Sequence, residues 1–295
     1  MVAAILLPLL LLALVRGEDV CIVGAGAGGL QVGQMLENSG RDYVIFEREA
    51  AAGSFYSKFP IHRKMISLNK RNTGRDNSSE FNMRHDWNSL LGSDVSRMTT
   101  RTKERWPSAD TLVEYLNDFA QPLAQAGKLR YNSEVLSISR PVVTEPFLVT
   151  VSSKGSQTTV QCRAIVMAHG LGLPNIPAVS GMAEHTIGYE QLHDAHGLPG
   201  TDRHDDFWEK KNVAILGLGN AALEVSDAAS PFANFVHIYT RGGTAPKVSW
   251  ESHYVGSIRG IRASHLDGYL LKSLDLIDVP ADRETERPSA MSPPQ

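Results

Sequence analysis

Cysteine is nearly missing from this 295-residue chain, which has two, Cys21 and Cys162. Two cysteines cannot build a disulfide framework, and without a Cys-x-x-Cys pair a dithiol redox centre is disfavoured. Both lie in or beside short apolar runs, so they are expected as inert buried thiols, with mixed disulfides to a partner as the other chemistry open to them. Charge of one sign is lacking too. At a formal net charge of −3 the chain has no global field to gather nucleic acid or acidic lipid. The apolar run Ala3 to Val15 has 13 residues, short of the roughly 20 a membrane-spanning helix needs. His193, His196 and His204 sit on a Gly-, Pro- and Asp-containing stretch in no zinc-ligand spacing, so no metal site is expected.

What is present is a globular composition. With 42% hydrophobic and 21% charged residues there is enough apolar material for a core and too little charge for a disordered chain. That core is organised around Val20 to Leu30, Val-Cys-Ile-Val-Gly-Ala-Gly-Ala-Gly-Gly-Leu. Val20 to Val23 read as a buried parallel strand, and Leu30 to Asn38 as a helix stopped by Gly40. Between them Gly24, Gly26 and Gly29 stand in Gly-x-Gly-x-x-Gly spacing. Gly24 permits the tight turn, Gly26 lets a pyrophosphate approach the backbone, and Gly29 lets helix and strand pack closely. The helix N-terminus then offers free N–H groups to phosphate. A second strand, Tyr43 to Phe46, ends in Glu47, which follows Gly24 by 23 residues. An acid there can accept both hydroxyls of a ribose. Together these features predict a dinucleotide site.

Upstream, Val15-Arg16-Gly17 has the small residues of a cleavage site, so residues 1–17 are expected as a signal peptide despite the uncharged start. Asn77-Ser78-Ser79 is a glycosylation sequon in that setting. Gly53 to Trp106 lacks periodicity and is polar, basic and aromatic, with Phe81 to Leu91 either lining a ligand site or forming a surface loop. Ser108 is placed to cap a helix running to Leu123, with Leu112, Tyr115, Leu116 and Phe119 on one face. Val135–Ile138, Phe147–Val151, Thr158–Cys162 and Ala164–Met167 read as strands.

A second signature begins at Val213. Val213 to Leu216 form a strand, and Gly217, Gly219 and Ala222 give Gly-x-Gly-x-x-Ala opening a helix that carries Glu224. The next strand, Phe235 to Tyr239, runs into Thr240-Arg241 where the first unit has an acid. Arginine can pair with a 2′-phosphate that an acid would repel, which implies NADPH rather than NADH. The expected fold class is α/β with two Rossmann-like dinucleotide-binding units. The organisation is 18–190 for the first unit, 191–210 a hydrophilic linker, 211–277 the second unit, and 278–295 a disordered tail.

This arrangement resembles the two-dinucleotide-binding flavoproteins, and the flavin-containing monooxygenases in particular. Gly217-Leu218-Gly219-Asn220-Ala221-Ala222 is similar to their NADPH motif, with alanine in place of serine. Val179-Ser180-Gly181-Met182-Ala183-Glu184-His185 followed by Tyr189 resembles their identifying sequence, with valine for its phenylalanine. Ala168-His169-Gly170 stands where Ala-Thr-Gly is usual. Arg63 to Lys70, Phe81 to Leu91, Ser249-Trp250, His253 to Gly256 and Leu271 to Asp275 resemble a narrower group, flavoproteins of the endoplasmic reticulum associated with degradation.

The resemblance implies FAD on the first unit, held by Gly24, Gly26, Gly28, Gly29 and Glu47 with Arg48, Ser54 and Phe55. It implies NADPH on the second, held by Gly217, Gly219, Asn220 and Ala222 with Arg241 on the 2′-phosphate. Asn69 falls where the monooxygenases place an asparagine beside the flavin, and is the expected catalytic residue. The implied activity is NADPH-linked oxidoreduction in the endoplasmic reticulum lumen, with quality-control proteins and misfolded glycoproteins as partners. A non-catalytic FAD-binding scaffold or redox sensor is the other reading. Members of that narrower group are about twice as long, so the chain resembles a shortened form.

Overall fold

β1 (Glu18–Val23) lies between its two parallel neighbours, β2 (Tyr43–Phe46) and β6 (Ser156–Met167). A computed structural model of the chain describes residues 17–59, 63–65, 67–71, 74–76, 79–86, 88–170, 172, 176, 180–196, 207–239 and 277–278. The described residues divide into two compact units: 17–54, 90–95 and 115–172 in the first, and the remainder in the second.

The first unit is a six-stranded mixed sheet in the order β3-β2-β1-β6-β5-β4, where β3 is Leu129–Arg130, β4 Ser133–Ser139 and β5 Phe147–Ser153. All four residues of β2 are buried, as a strand covered on both faces requires. The helix α1 (Ala27–Asn38) connects β1 to β2 and stops before Gly40, whose φ of +63° is left-handed. β3, β2, β1 and the end of β6 run parallel, whereas β4, β5 and the start of β6 form an antiparallel meander.

Here the structure corrects a sequence expectation. Thr158–Cys162 and Ala164–Met167 are one 12-residue strand, interrupted in pattern by Arg163 but not in backbone. β6 changes partner along its length, and Cys162 is the residue that pairs with both Phe147 of β5 and Glu18 of β1. The strand ends deliver Val23 and Met167 side by side, and the N–H of Ala168 donates to the carbonyl of Val23 at 2.9 Å.

The cysteines are a second correction. Cys21 and Cys162 form a disulfide with their Cα atoms 5.8 Å apart, fully buried among Val44, Phe46, Val149, Val151 and Val160. A spacing of 141 residues gives no hint of this pairing; the crossover that lays β6 beside β1 creates it. Closing a loop of that length stabilises the folded state by up to about 5 kcal/mol on the chain-entropy model.

In chain order, α2 (Ser54–Lys58), α3 (Glu80–His85) and α4 (Met98–Arg101) precede α5 (Ala109–Gln125). The Oγ of Ser108 accepts from the N–H groups of Asp110 (3.0 Å) and Thr111 (3.3 Å), which is the expected N-cap. Leu112, Tyr115, Leu116, Phe119 and Leu123 are buried along one face, and each such side chain stabilises by about 1.5–3 kcal/mol.

The second unit repeats the dinucleotide theme. β7 (Asn212–Leu216) pairs in parallel with β8 (Phe235–Tyr239), which pairs with β9 (Ile277–Asp278). After α6 (Met182–His185) and α7 (Tyr189–His196), α8 (Asn220–Ala229) covers the sheet. Leu192, Trp208, Val225, Ala229 and Val236 form its core. The stretch expected as a hydrophilic linker therefore contributes a helical segment and two apolar anchors, Leu192 and Trp208. Asp278, expected in the tail, ends β9 opposite Tyr239. Residues 1–16, the sequon asparagine, Val179 and everything from 279 onward lie outside the described residues.

Candidate dinucleotide sites

Gly24 sits at the crest of the turn after β1 with φ +101°, and a Cβ added there would lie 2.6 Å from the carbonyl oxygen of Ala168. Any side chain would collide with backbone that cannot rotate away. Gly29 is as tightly constrained: its Cβ would come within 2.0 Å of the Gly24 carbonyl oxygen. Both therefore serve the fold of the loop. Gly26 and Gly28 differ in kind, since no atom lies within 4 Å of a Cβ at either position. Gly26 is also the N-cap of α1, without a side-chain cap for the free N–H groups of the first turn. Open space in front of uncapped N–H groups is the cradle a phosphate needs.

Glu47 completes this site from below. Its carboxylate is buried, with Oε2 accepting from the N–H of Ala25 (2.6 Å) and Oε1 from that of Glu49 (2.9 Å). Each oxygen keeps a further lone pair, so the acid can hold the loop and still accept a ribose hydroxyl. The N–H of Gly24 donates to the Phe46 carbonyl at 2.8 Å, and that of Gly53 to the Ala25 carbonyl at 3.1 Å. Arg48 points outward beside Glu49, its guanidinium 3.3 Å from that carboxylate. Ser54 opens α2 at the edge of the first unit.

The second unit reproduces the same geometry in its own backbone. Gly217 has φ +114° and its N–H donates to the Tyr239 carbonyl at 2.7 Å, as Gly24 does to Phe46. Gly219 is the N-cap of α8, again without a side-chain cap and with no atom within 4 Å of a Cβ. Ala222 is buried in the first turn, where a larger residue would separate helix from sheet. Asn220 opens the helix. Arg241 lies outside the described residues.

Two further features of the second unit were only half legible. Glu224, one turn into α8, is buried and accepts from the Tyr189 hydroxyl, and burial pushes its carboxyl above the ordinary range. The Tyr189 ring stacks on Phe59 at 5.2 Å, while Phe55, nearby in sequence, is exposed and touches Tyr56 and Phe59. Asn69 is buried in a segment that pairs with residues 102–109. Its backbone N–H donates to Arg105, its Nδ2 to the Thr102 carbonyl at 2.9 Å, and its Oδ1 has no partner. A buried acceptor without a donor is costly unless a ligand supplies one. The described residues of the Gly53–Trp106 stretch thus form short helices and paired segments. Sequence reasoning missed Ala168, whose carbonyl makes Gly24 obligatory, and the Cys21–Cys162 bond. Topology alone reveals both.

Among the described residues no group of His, Cys, Asp and Glu could hold a metal ion, and no helix is long and apolar enough to cross a membrane.

Paired strand–glycine–helix units of this kind define a flavoprotein-type fold with two dinucleotide sites. The chain belongs to the pyridine nucleotide-disulphide oxidoreductase family, whose model matches residues 21–287. It is 38% identical over 263 residues to the FAD-dependent oxidoreductase domain-containing protein 2 of Mus musculus, covering 88% of this chain and 37% of that one. The chain therefore spans little more than a third of that relative. Among solved structures, the flavin-containing monooxygenase of Stenotrophomonas maltophilia superposes with a TM-score of 0.61 at 20% identity, over 90% of this chain and 70% of that one. OTEMO in complex with FAD and NADP gives a TM-score of 0.52 at 16% identity, over 85% and 44%. At those identities the likeness is one of fold, and it is the fold of proteins that bind both cofactors.

Proposed function

We propose that this chain is the dinucleotide-binding part of an FAD-dependent, NADPH-linked oxidoreductase of the endoplasmic reticulum lumen. The observation that carries the reading is the duplicated cradle: an uncapped helix N-terminus at Gly26 and another at Gly219, each fronted by open space and fed by a strand. Gly26, Gly28 and the first turn of α1 would hold the FAD pyrophosphate, and Glu47 its ribose. Gly219, Asn220 and Ala222 would hold NADPH, with Arg241 on the 2′-phosphate. When bound, the two cofactors supply hydride chemistry, and the protein supplies binding, orientation and exclusion of water. Asn69, fixed through Nδ2 with Oδ1 free, is suited to accept a hydrogen bond from a ring N–H or a carboxamide. Oxygenation of a substrate, as in the monooxygenases, rests on the likeness of Asn69 and the identifying sequence.

The lumenal setting is supported by two independent features. The run Ala3 to Val15 has the makings of a signal sequence, and a disulfide between Cys21 and Cys162 belongs to an oxidising compartment. Misfolded glycoproteins and the quality-control proteins that handle them are the partners we propose. The test is direct. Purified protein from the secretory pathway should be yellow, should begin near Glu18, and under anaerobic conditions NADPH should bleach its flavin band. A colourless protein that takes up no added FAD would refute the reading, and flavin that NADPH leaves oxidised would make the chain a scaffold.

A further inference from the structure

We propose that oxidation of Cys21 and Cys162 is the covalent step that commits the first unit to holding its dinucleotide. The disulfide acts as a one-way gate on cofactor loading, not as a reversible switch. This rests on the assignment of the flavin to the first unit.

The argument begins with what the bond joins. Cys21 lies on β1, which runs directly into Gly24; Cys162 lies on β6, which runs into Ala168. Those two exits pinch the phosphate loop between them. The Ala168 N–H donates to the Val23 carbonyl, and the Ala168 carbonyl fills the space where a Gly24 side chain would be. The shape of the loop is therefore set by how β6 lies along β1. Cys162 is also the residue at which β6 leaves β5 for β1, so the bond pins the strand where it changes partner. Without it, that contact between segments 141 residues apart relies on strand pairing and apolar packing alone.

Burial sets the direction. Both cysteines have 0% exposure, and thiol–disulfide exchange requires a thiolate to reach a sulfur. In the assembled unit neither a donor disulfide nor a reducing thiol can reach them. Oxidation must then take place once β6 has come alongside β1 but before the apolar cluster closes over the pair. One cysteine thiolate attacks a disulfide-donating oxidant, releasing one donor thiol and leaving a mixed disulfide. The second cysteine attacks that mixed disulfide and releases the second donor thiol. Two thiols lose two protons and two electrons, and the donor is reduced to two thiols. Packing around Val44, Phe46, Val149, Val151 and Val160 then seals the bond.

The test uses the full chain. Unfolded in guanidinium without reductant, the protein should give no alkylation at Cys21 or Cys162, and alkylation at both once reductant is added. Refolding with FAD should load flavin in oxidised glutathione, and roughly tenfold less or lower in reduced glutathione alone. The native holoprotein, by contrast, should keep both its bond and its flavin in reduced glutathione. A Cys21→Val, Cys162→Ala double variant, apolar at both sites, should load poorly in either buffer and no longer respond to the oxidant. Two free thiols in the purified protein would overturn the proposal, as would equal loading in both buffers or prompt reduction of the native holoprotein. A fully oxidised chain that binds no FAD would instead overturn the cofactor assignment on which the gate rests.

Discussion

The carboxylate of Glu47 accepts a hydrogen bond from the backbone N–H of Ala25 at 2.6 Å, joining the end of the second strand to the glycine loop 22 residues earlier. On the proposed reading one acid has two duties: it anchors the loop through the Ala25 and Glu49 N–H groups, and its remaining lone pairs would accept from a ribose. Glu47→Gln separates charge from shape. One of the two backbone donors, from Ala25 or Glu49, must then face an amide NH2. Hydrogen bonds to charged groups contribute about 1.5–3 kcal/mol, so FAD affinity should fall by roughly 10- to 100-fold. The thermal midpoint of the FAD-free protein should fall as well. Flavin fluorescence quenching and calorimetry measure the two effects, and an unchanged affinity would remove Glu47 from the site.

The glycines of the loop should fail in different ways. Gly24→Ala forces a side chain into φ +101° against the Ala168 carbonyl, and such strained backbone costs about 1–3 kcal/mol before the clash is counted. Its expected outcome is a destabilised protein, with or without FAD. A Cβ added at Gly26 has open space in front of it, with nothing beyond its chain neighbours within 4 Å, so Gly26→Val should keep a fold and an FAD-free thermal midpoint near wild type while flavin is lost. Retention of stoichiometric FAD by Gly26→Val would contradict the cradle.

Arg241 follows Gly217 by 24 residues, the place where an NAD site would carry an acid. A forked, charge-assisted contact to the 2′-phosphate should favour NADPH over NADH by roughly 10- to 100-fold. Arg241→Ala should weaken NADPH by that factor and leave NADH nearly untouched. Equal losses for both cofactors would make the arginine structural.

Glu224 predicts a pH dependence. Burial raises its carboxyl, and the Tyr189 hydroxyl lowers it by a smaller amount. The folded state therefore holds its proton to higher pH than the unfolded chain, where glutamate titrates near about 4.3. The contribution of this group is thus most favourable below the unfolded value, and stability is lost as pH rises through the folded value. Glu224→Gln, neutral at every pH, should flatten this part of the curve, narrowing the gap in thermal midpoint between pH 5 and pH 8. A gap as wide as that of the parent protein would mean that Glu224 carries none of it.

The parts legible in the sequence are those governed by short-range rules. Gly24 and Gly217 hold positive-φ turns and Gly29 packs on the carbonyl of nearby Gly24, and the Ser108 cap and the buried face of α5 follow from spacing alone. The parts that were not legible depend on segments far apart in the chain. The pairing of Cys21 with Cys162 exists only because β6 crosses to lie beside β1, and its partner change at Cys162 joined what reads as two strands. Leu192 and Trp208 were hidden by polar neighbours, since a few apolar anchors in a hydrophilic stretch make no periodic signal. Asn69 was placed by family likeness; its free Oδ1 shows only once Thr102 is seen holding the other end of the amide.

The central claim is that two dinucleotides work together on this chain, and anaerobic titration of the FAD-loaded protein with NADPH tests it most directly. The account predicts stoichiometric bleaching of the visible flavin band, far faster with NADPH than with NADH, and slowed in Arg241→Ala. A flavin band that stays unchanged under excess NADPH, in protein that holds FAD at one equivalent, would contradict it.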